Sequence, residues 1–399
     1  MKKRIIQIVY HSYEGEYKKK FIEGIKYNKL IVPEQVDFSI LDLSDYYLGE
    51  NFNFDIDIKK LKINYFKPKN IIDLIKFLKS YRNYSLGLET GNLKLIFIFL
   101  LMQFCNVKFI FINYFGFFPQ SSGNRKNNFY NKIKYFLNFK INYFFFRFLS
   151  IIYLTPKIEY YFESSQSRIN SIKNSISKKI DKKININLFS YVSNIIRINS
   201  IYYEKILKKN NNNKYVVFID NGFDHPDRLV LELSSTEEDR ANYYFRLYNF
   251  LKSLKNLYNL EVVFCKHPKA FYPNKNYIRI IENDFIVSTA LTHYYIPKAE
   301  IVVLSETTLL NKVILLNKKI ITIYSSLMGD FTRRKISSIK NEIELFHINI
   351  DDYSPLSREI LNNELKKKIL NYKNYIRLNL VYKKNVLWFD QVKNFLKII

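Results

Sequence analysis

Cysteine is almost missing from this chain: Cys105 and Cys265 are the only two, and both sit inside apolar runs. That excludes a disulfide framework and a thiolate zinc site, and it suits a reducing cytoplasm. Glycine is scarce too, at 9 residues, and neither GxGxxG nor GxxxxGK followed by Ser or Thr occurs. An ordinary dinucleotide or P-loop enzyme needs such a loop so that backbone amides can approach phosphate, which argues against both classes. No His/Asp cluster has metal-ligand spacing, so chemistry without a metal or other cofactor is expected. The longest apolar runs, 95–102 and 142–154 with Arg147 inside, fall short of the roughly 20 residues that span a bilayer. The start, 1–10, has too short an apolar stretch for a signal peptide and reads as a first β-strand. No internal sequence repeat is visible.

Acidic residues are outnumbered, 36 against 63 Lys and Arg, for a net charge of +27. Such a field favours anionic partners: nucleic acid, an acidic membrane surface or an anionic sugar nucleotide. Part of it is compositional, because Lys, Asn, Ile, Tyr and Phe are all over-used, as in an AT-rich genome. Hydrophobic residues make up 48% of the chain, enough for a sizeable core and too many for global disorder. Its 399 residues suit two domains better than one.

Strand-like runs at 5–10, 38–43, 85–88 and 108–113 alternate with helical patterns at 71–81, just after Pro68, and 93–104. A second alternating series has strands at 215–219, 261–265, 277–281, 301–304 and 319–323, with helices at 237–257 and 289–296. Alternation of this kind predicts βαβ units and parallel sheets. The polar run Lys208-Lys-Asn-Asn-Asn-Asn-Lys214 lies between the series and reads as a linker. The expected organisation is an α/β chain of two Rossmann-like domains facing across a cleft. A first domain occupies 1–207, a linker 208–214 and a second domain 215–375, and a helical tail over 376–399 folds back. Residues 128–154 interleave aromatics with Lys132, Lys134, Lys140 and Arg147. An interfacial membrane helix has this pattern, and so does a core helix with snorkelling lysines. Nucleic acid fits less well, since no recognisable binding motif accompanies it.

Three polar motifs follow three apolar strand runs. Asp220-Asn-Gly-Phe-Asp-His-Pro-Asp227 follows 215–219, Lys266-His-Pro268 follows 262–265, and Ser305-Glu-Thr-Thr308 follows 301–304. In open α/β sheets ligands bind at the carboxyl ends of strands, so the motifs point to one nucleotide-phosphate site. His267, fixed by the rigid Pro268, suits a group that binds phosphate and offsets charge on a departing nucleotide. His225 is a rival, farther from its strand. Asp220, with Gly222 allowing a turn behind it, suits a general base and equally a simple Asn-Gly turn. Ser305, Thr307 and Thr308 suit phosphate binding at a strand-to-helix junction, although Ser305 as a plain N-cap explains the same residues, and Gly222, Lys266 and Pro268 are expected to join them in binding the nucleotide phosphate. In the first domain, Glu89-Thr-Gly91 and Asn113-Tyr-Phe-Gly116 lie at strand ends where an acceptor would be held, and Glu89 is a second candidate base.

These motifs resemble those of bacterial sialyltransferases and polysialyltransferases of the B-type glycosyltransferase fold, which share an acidic-Gly, a His-Pro and a Ser/Thr motif. The counterparts are Asp220-Asn-Gly222, His267-Pro268 and Ser305 to Thr308, and the likeness covers mainly 215–325. The sequence departs from the family where Asn221 stands in place of a second acid and where Glu306 splits the Ser/Thr pair. The resemblance implies an inverting, metal-independent glycosyltransferase of surface-polysaccharide synthesis. Its donor would be a CMP-activated nonulosonic acid and its acceptor a glycan hydroxyl. The protein would be cytoplasmic, peripheral on the inner membrane face if 128–154 is interfacial. Two alternatives stand beside it: a CDP-glycerol or CDP-ribitol phosphotransferase, and a non-catalytic basic protein that binds membrane or nucleic acid.

Overall fold

The structure, a computed structural model, describes residues 2–9, 25–26, 28–43, 63–86, 93–113, 157–177, 184–186, 190–206, 214–221, 236–267, 276–289, 291–354 and 357–398. These residues fall into two compact units, one drawn from 1–116, 129–201 and 382–399 and the other from 202–381. The chain is α/β, with one Rossmann-like parallel sheet in each unit.

The sheet of the first unit uses β1 (Lys3–Val9), β2 (Asp37–Asp42), β3 (Asn64–Phe66), β4 (Arg82–Leu86), β5 (Lys108–Asn113), β6 (Lys157–Glu163), β7 (Ile184–Ile186) and β8 (Ser190–Arg197). Their order is β3-β2-β1-β4-β5-β6-β8-β7, and only β7 against β8 is antiparallel. Side chains alternate across the sheet as the period-2 pleat requires. Ile5 and Val9 enter one core, and Ile6 and Ile8 the other. α1 (Ile71–Lys79) and α2 (Leu93–Phe104) cover the second of these faces through Leu74, Leu78 and Met102. α1 starts where Asn70 Oδ1 accepts from the Asp73 amide at 2.9 Å, just past Pro68. α3 (Gln166–Ser177) follows β6.

The second unit repeats the design with β9 (Tyr215–Ile219), β10 (Glu261–Cys265), β11 (Ile286–Ser288), β12 (Ala299–Leu304), β13 (Lys319–Tyr324) and β14 (Phe346–Asn349). The order is β11-β10-β9-β12-β13-β14, parallel throughout. Its helices are α4 (Glu237–Tyr258), α5 (Asn276–Asp284), α6 (Thr292–Tyr295), α7 (Leu310–Leu315), α8 (Asp330–Glu342), α9 (Arg358–Leu370) and α10 (Tyr372–Asn379). Val216 and Phe218 pack with α4 and α5, while Val217 and Ile219 pack with α7 and α10. Both faces are therefore buried, which explains the uninterrupted apolar strands. α4 begins with a capping box: Thr236 Oγ1 accepts from the Asp239 amide at 3.0 Å, and the Thr236 amide donates to Asp239 Oδ2 at 2.8 Å. Such a cap stabilises a helix by about 1 kcal/mol.

The strand expected at 277–281 is instead helical, as α5, and the strand comes afterwards as β11. Ile278, Ile281 and Phe285 face the core while Ile280 is exposed. That is helical spacing, and packing overrides the β preference of the Ile-rich run. Glycine scarcity also has a structural counterpart. Among the described residues the positive-φ positions other than glycine are Asn106, Asn259, Asn317 and Asn385. Asparagine supplies the left-handed turns that glycine usually makes.

After α10 the chain returns to the first unit, where α11 (Trp388–Ile398) covers the face of the sheet that α1 and α2 leave open. Trp388, Val392 and Leu396 are buried among Ile5, Phe38 and Phe162, and Phe395 meets Tyr160 and Phe162 edge-on at 5.0 and 5.4 Å. Each such burial contributes roughly 1.5–3 kcal/mol. Asn199, fully buried past the end of β8, fixes the entry to this segment. Its Nδ2 donates to the Lys383 and Val386 carbonyls at 2.6 and 2.5 Å, and its Oδ1 accepts from the Tyr382 and Lys383 amides at 2.6 and 2.9 Å. Its own backbone amide donates to Gln391 Oε1 at 3.0 Å.

Residues 128–154 lie outside the described set, and among the described residues no helix is long and apolar enough to cross a membrane. Asn199→Ala leaves partly buried amides and carbonyls without partners and should cost about 2–4 kcal/mol. Trp388, the chain's one tryptophan, reports on this core alone. Urea unfolding followed by its fluorescence should show the lower midpoint. An unchanged midpoint would mean that apolar packing alone holds α11.

Candidate active site

The first residues of the three motifs stand at neighbouring strand ends within the second unit. β9 pairs with β10 through Ile219↔Cys265 and with β12 through Ile219↔Leu304. Asp220, Lys266 and Ser305, each one residue further on, therefore stand side by side, with Asn221 and His267 in the next position. The Asp220 amide donates to the Cys265 carbonyl at 3.0 Å and the Lys266 amide to the Ser288 carbonyl at 2.8 Å, so the pairing continues past the strands. β9 is also where the strand order reverses, since the chain builds β10 and β11 on one side and then β12 to β14 on the other. The switch point is the place where a doubly wound sheet opens a ligand crevice.

Asp220 is 3% exposed. Its Oδ1 accepts from the Tyr244 hydroxyl of α4 and its Oδ2 from the His267 backbone amide, both at 3.4 Å. The carboxylate thus ties the turn that carries His267 to the end of β9, through contacts that are long for hydrogen bonds. Asn221 is 7% exposed, and among the described residues neither its Oδ1 nor its Nδ2 has a hydrogen-bond partner. Ser305 is fully buried, and its Oγ is likewise without a partner among the described residues. Buried polar groups are nearly always paired, so two at one strand end need a cause.

Lys266 forms an ion pair with Glu282 of α5 at 2.6 Å. Thr307 Oγ1 accepts from the Leu309 amide at 3.2 Å, a local turn, and Thr308 is exposed. Ser305 is not the N-cap of the following helix. α7 begins at Leu310 after Leu309, without side-chain capping, because the Thr307 turn intervenes. A six-residue helix offers little dipole, so phosphate binding through that helix terminus loses its basis. Glu306 turns inward to Lys335 of α8, its Oε2 3.1 Å from the ammonium, with the side chains 4% and 12% exposed. The sequence treated Glu306 as an interruption, and its buried cation partner, 29 residues on, had no local signal. Glu89, Gly222, His225 and Pro268 lie outside the described residues. Among the described residues no group of three or more His, Cys, Asp or Glu could hold a metal.

No family model and no curated protein matches the chain. Among solved structures, MurG of Acinetobacter baumannii aligns at 6% identity over 100% of both chains, with a TM-score of 0.42. The UDP-GlcNAc 2-epimerase of Neisseria meningitidis, bound to UDP-GlcNAc, aligns at 11% identity over 100% of this chain and 99% of that one, with a TM-score of 0.45. Anabaena Alr3699/HepE, in complex with UDP and glucose, gives 8% over 99% and 98%, with a TM-score of 0.44. Overlaps this loose carry no argument about activity, and the chemistry of the site has to come from its own residues.

Two further carboxylates close strand ends. In the first unit Glu163, fully buried at the end of β6, accepts from Asn113 Nδ2 at 2.8 Å, the Tyr161 hydroxyl at 3.0 Å and the Ser165 amide at 2.9 Å. Burial pushes its carboxyl above the ordinary range against the pull of these bonds and of Arg168. Asn113, expected to help hold an acceptor, is therefore engaged by Glu163. In the second unit Asp351 joins the ends of β13 and β14. It accepts from the Ser325 hydroxyl at 2.5 Å and the Ser326 amide at 2.6 Å, and it lies 2.5 Å from the Arg246 guanidinium. Burial works to raise this carboxyl, but the Ser325, Ser326 and Arg246 bonds outweigh it and hold it below the usual 3.8.

A depressed folded-state pKa stabilises the fold above the unfolded value, and that contribution is lost as pH falls through the folded one. Asp351→Asn should therefore destabilise the protein by about 1–2 kcal/mol at neutral pH, a figure discounted for the solvent around Arg246. The gap to the wild type should shrink below pH 3.8, the ordinary value for this group. Thermal unfolding of both proteins across this range is the measurement, and a gap that ignores pH would rule out the charged pair as its cause.

Proposed function

We propose that this protein is a B-type-fold glycosyltransferase that moves a nonulosonic, sialic-acid-like sugar from a CMP-activated donor to a hydroxyl of a surface glycan. What supports this is the adjacency of Asp220, His267 and Ser305 on three neighbouring parallel strands at the switch point, with the buried Ser305 hydroxyl left unpaired. The acceptor oxygen attacks the anomeric carbon as that carbon's bond to the phosphate oxygen breaks, inverting the centre. The hydroxyl proton passes to a carboxylate, and CMP departs with the bonding electron pair. His267, as imidazolium, offsets the charge that grows on the leaving phosphate, and Ser305 donates to the same group. No step calls for a metal.

Asp220 is the proposed base and Glu89 its rival. The burial of Asp220 and its contact to the His267 amide make a second role possible for it, as the residue that positions His267. The two roles separate in kinetics. As base, Asp220→Asn abolishes transfer and leaves nucleotide affinity intact, because a base touches the acceptor. As positioner, the same change weakens nucleotide binding together with turnover.

Thermal shift with CMP, CDP, UDP and GDP is the first test, because a ligand at about 100 times its Kd stabilises by about 2.7 kcal/mol. The proposal expects CMP to give the largest shift. With a CMP-sugar, His267→Ala should lower turnover by on the order of 10²-fold while unfolding at the wild-type temperature. Wild-type turnover in that variant would remove His267 from the phosphate site. Transfer of a polyol phosphate in place of a sugar, visible by product mass, would make the enzyme a CDP-polyol phosphotransferase.

A further inference from the structure

We propose that Asn221 is a ligand-binding residue that holds a sugar-ring hydroxyl of the bound nucleotide or nucleotide sugar. The proposal rests on the nucleotide-sugar reading of the switch-point site. Asn221 lies two residues past the last paired position of β9, level with His267 on β10 and one step beyond Asp220 and Ser305. It is 93% buried, yet neither end of its carboxamide meets a partner among the described residues. Exchanging Oδ1 and Nδ2 changes nothing, since both are unpaired.

The chemistry of the two ends narrows the ligand. Nδ2 offers two donors and Oδ1 accepts. A phosphate at neutral pH brings acceptors only, so it would satisfy Nδ2 and leave Oδ1 bare. A hydroxyl both donates and accepts, and a pair of neighbouring hydroxyls can satisfy both ends at once. The adjoining Ser305 carries a single unpaired hydroxyl, which suits an acceptor such as phosphate. Asn221 and Ser305 then divide the ligand, with sugar hydroxyls on the carboxamide and phosphate on the serine. The hydroxyls could belong to the ribose or to the transferred sugar, and binding measurements separate these sources.

The decisive variant is Asn221→Leu, which keeps the volume and removes both polar ends, with Asn221→Ala beside it. If the carboxamide waits for a ligand, its loss removes an unpaired buried group, so the free protein should unfold at the wild-type temperature or higher. A structural role predicts a lower temperature in both variants, and that result would overturn the proposal. Calorimetry then compares CMP, its 2′,3′-dideoxy analogue, CMP-N-acetylneuraminic acid and inorganic pyrophosphate. If the ribose is held, CMP affinity falls on the order of tenfold in the variants, and they no longer distinguish CMP from the dideoxy analogue. If the transferred sugar is held, CMP binds normally and only the CMP-sugar loses affinity. Wild-type affinity for both compounds, or an equal loss extending to pyrophosphate, would overturn the proposal. A wild-type protein that binds none of the nucleotides would defeat the nucleotide-sugar reading itself, a result distinct from a nucleotide-binding wild type with an inert Asn221.

Discussion

The second unit depends on β9 being paired in parallel on both sides. A parallel neighbour cannot be reached by a tight turn, so each connection must climb over a face of the sheet. The chain does this first toward β10 and then, from the far edge, toward β12. The reversal leaves the carboxyl end of β9 as a place where polar residues from three strands stand level. Register decides which residues those are. A slip by one position would carry Asp220 away from Tyr244 and the His267 amide, and would turn Val216 and Phe218 out of the core they share with α4. The apolar packing of the sheet therefore fixes the geometry of the polar end.

Among the described residues, several buried carboxylates are bonded at strand ends. Glu163 has four partners, Asp351 has three, and Glu306 meets Lys335. Other buried polar atoms among the described residues are also unpaired, Ser85 Oγ and Gln391 Nε2 among them, but Asn221 and Ser305 bring theirs together at the ends of two neighbouring strands, and an unsatisfied buried group costs about 1–3 kcal/mol. Stability given up at one point of a sheet is the usual mark of a surface prepared for something else.

Much of this was legible in the sequence, and the limits are physical. Buried parallel strands read as apolar runs bounded by polar residues, and 108–113, 215–219 and 261–265 match β5, β9 and β10 residue for residue. The run at 277–281 failed because five residues rich in Ile satisfy strand and helix periods alike, and only Phe285 beyond it shows which face is buried. Strand β6, whose run holds Lys157 and two glutamates, gave no clean alternation, yet it lies inside the sheet. At the site, the strand ends were readable because chain direction alone places them. The partners of Lys266 and Glu306 were not, since each comes from a helix far along the chain.

Asparagine shows why residue type alone could not finish the task. In a chain so poor in glycine, Asn259 and Asn317 supply left-handed turns, Asn70 caps a helix, and Asn199 anchors the C-terminal segment through four side-chain bonds. Each of these has its conformation or its partners as sufficient cause. Asn221 precedes a glycine and invites the same turn-forming explanation. That explanation accounts for the backbone and for nothing in the side chain, which is buried with both ends open. A turn asparagine commonly bonds nearby backbone, and the Asn221 side chain makes no such bond among the described residues. The difference between the structural asparagines and this one is a matter of unspent hydrogen bonds, and those become visible only when the strands beside it are in place.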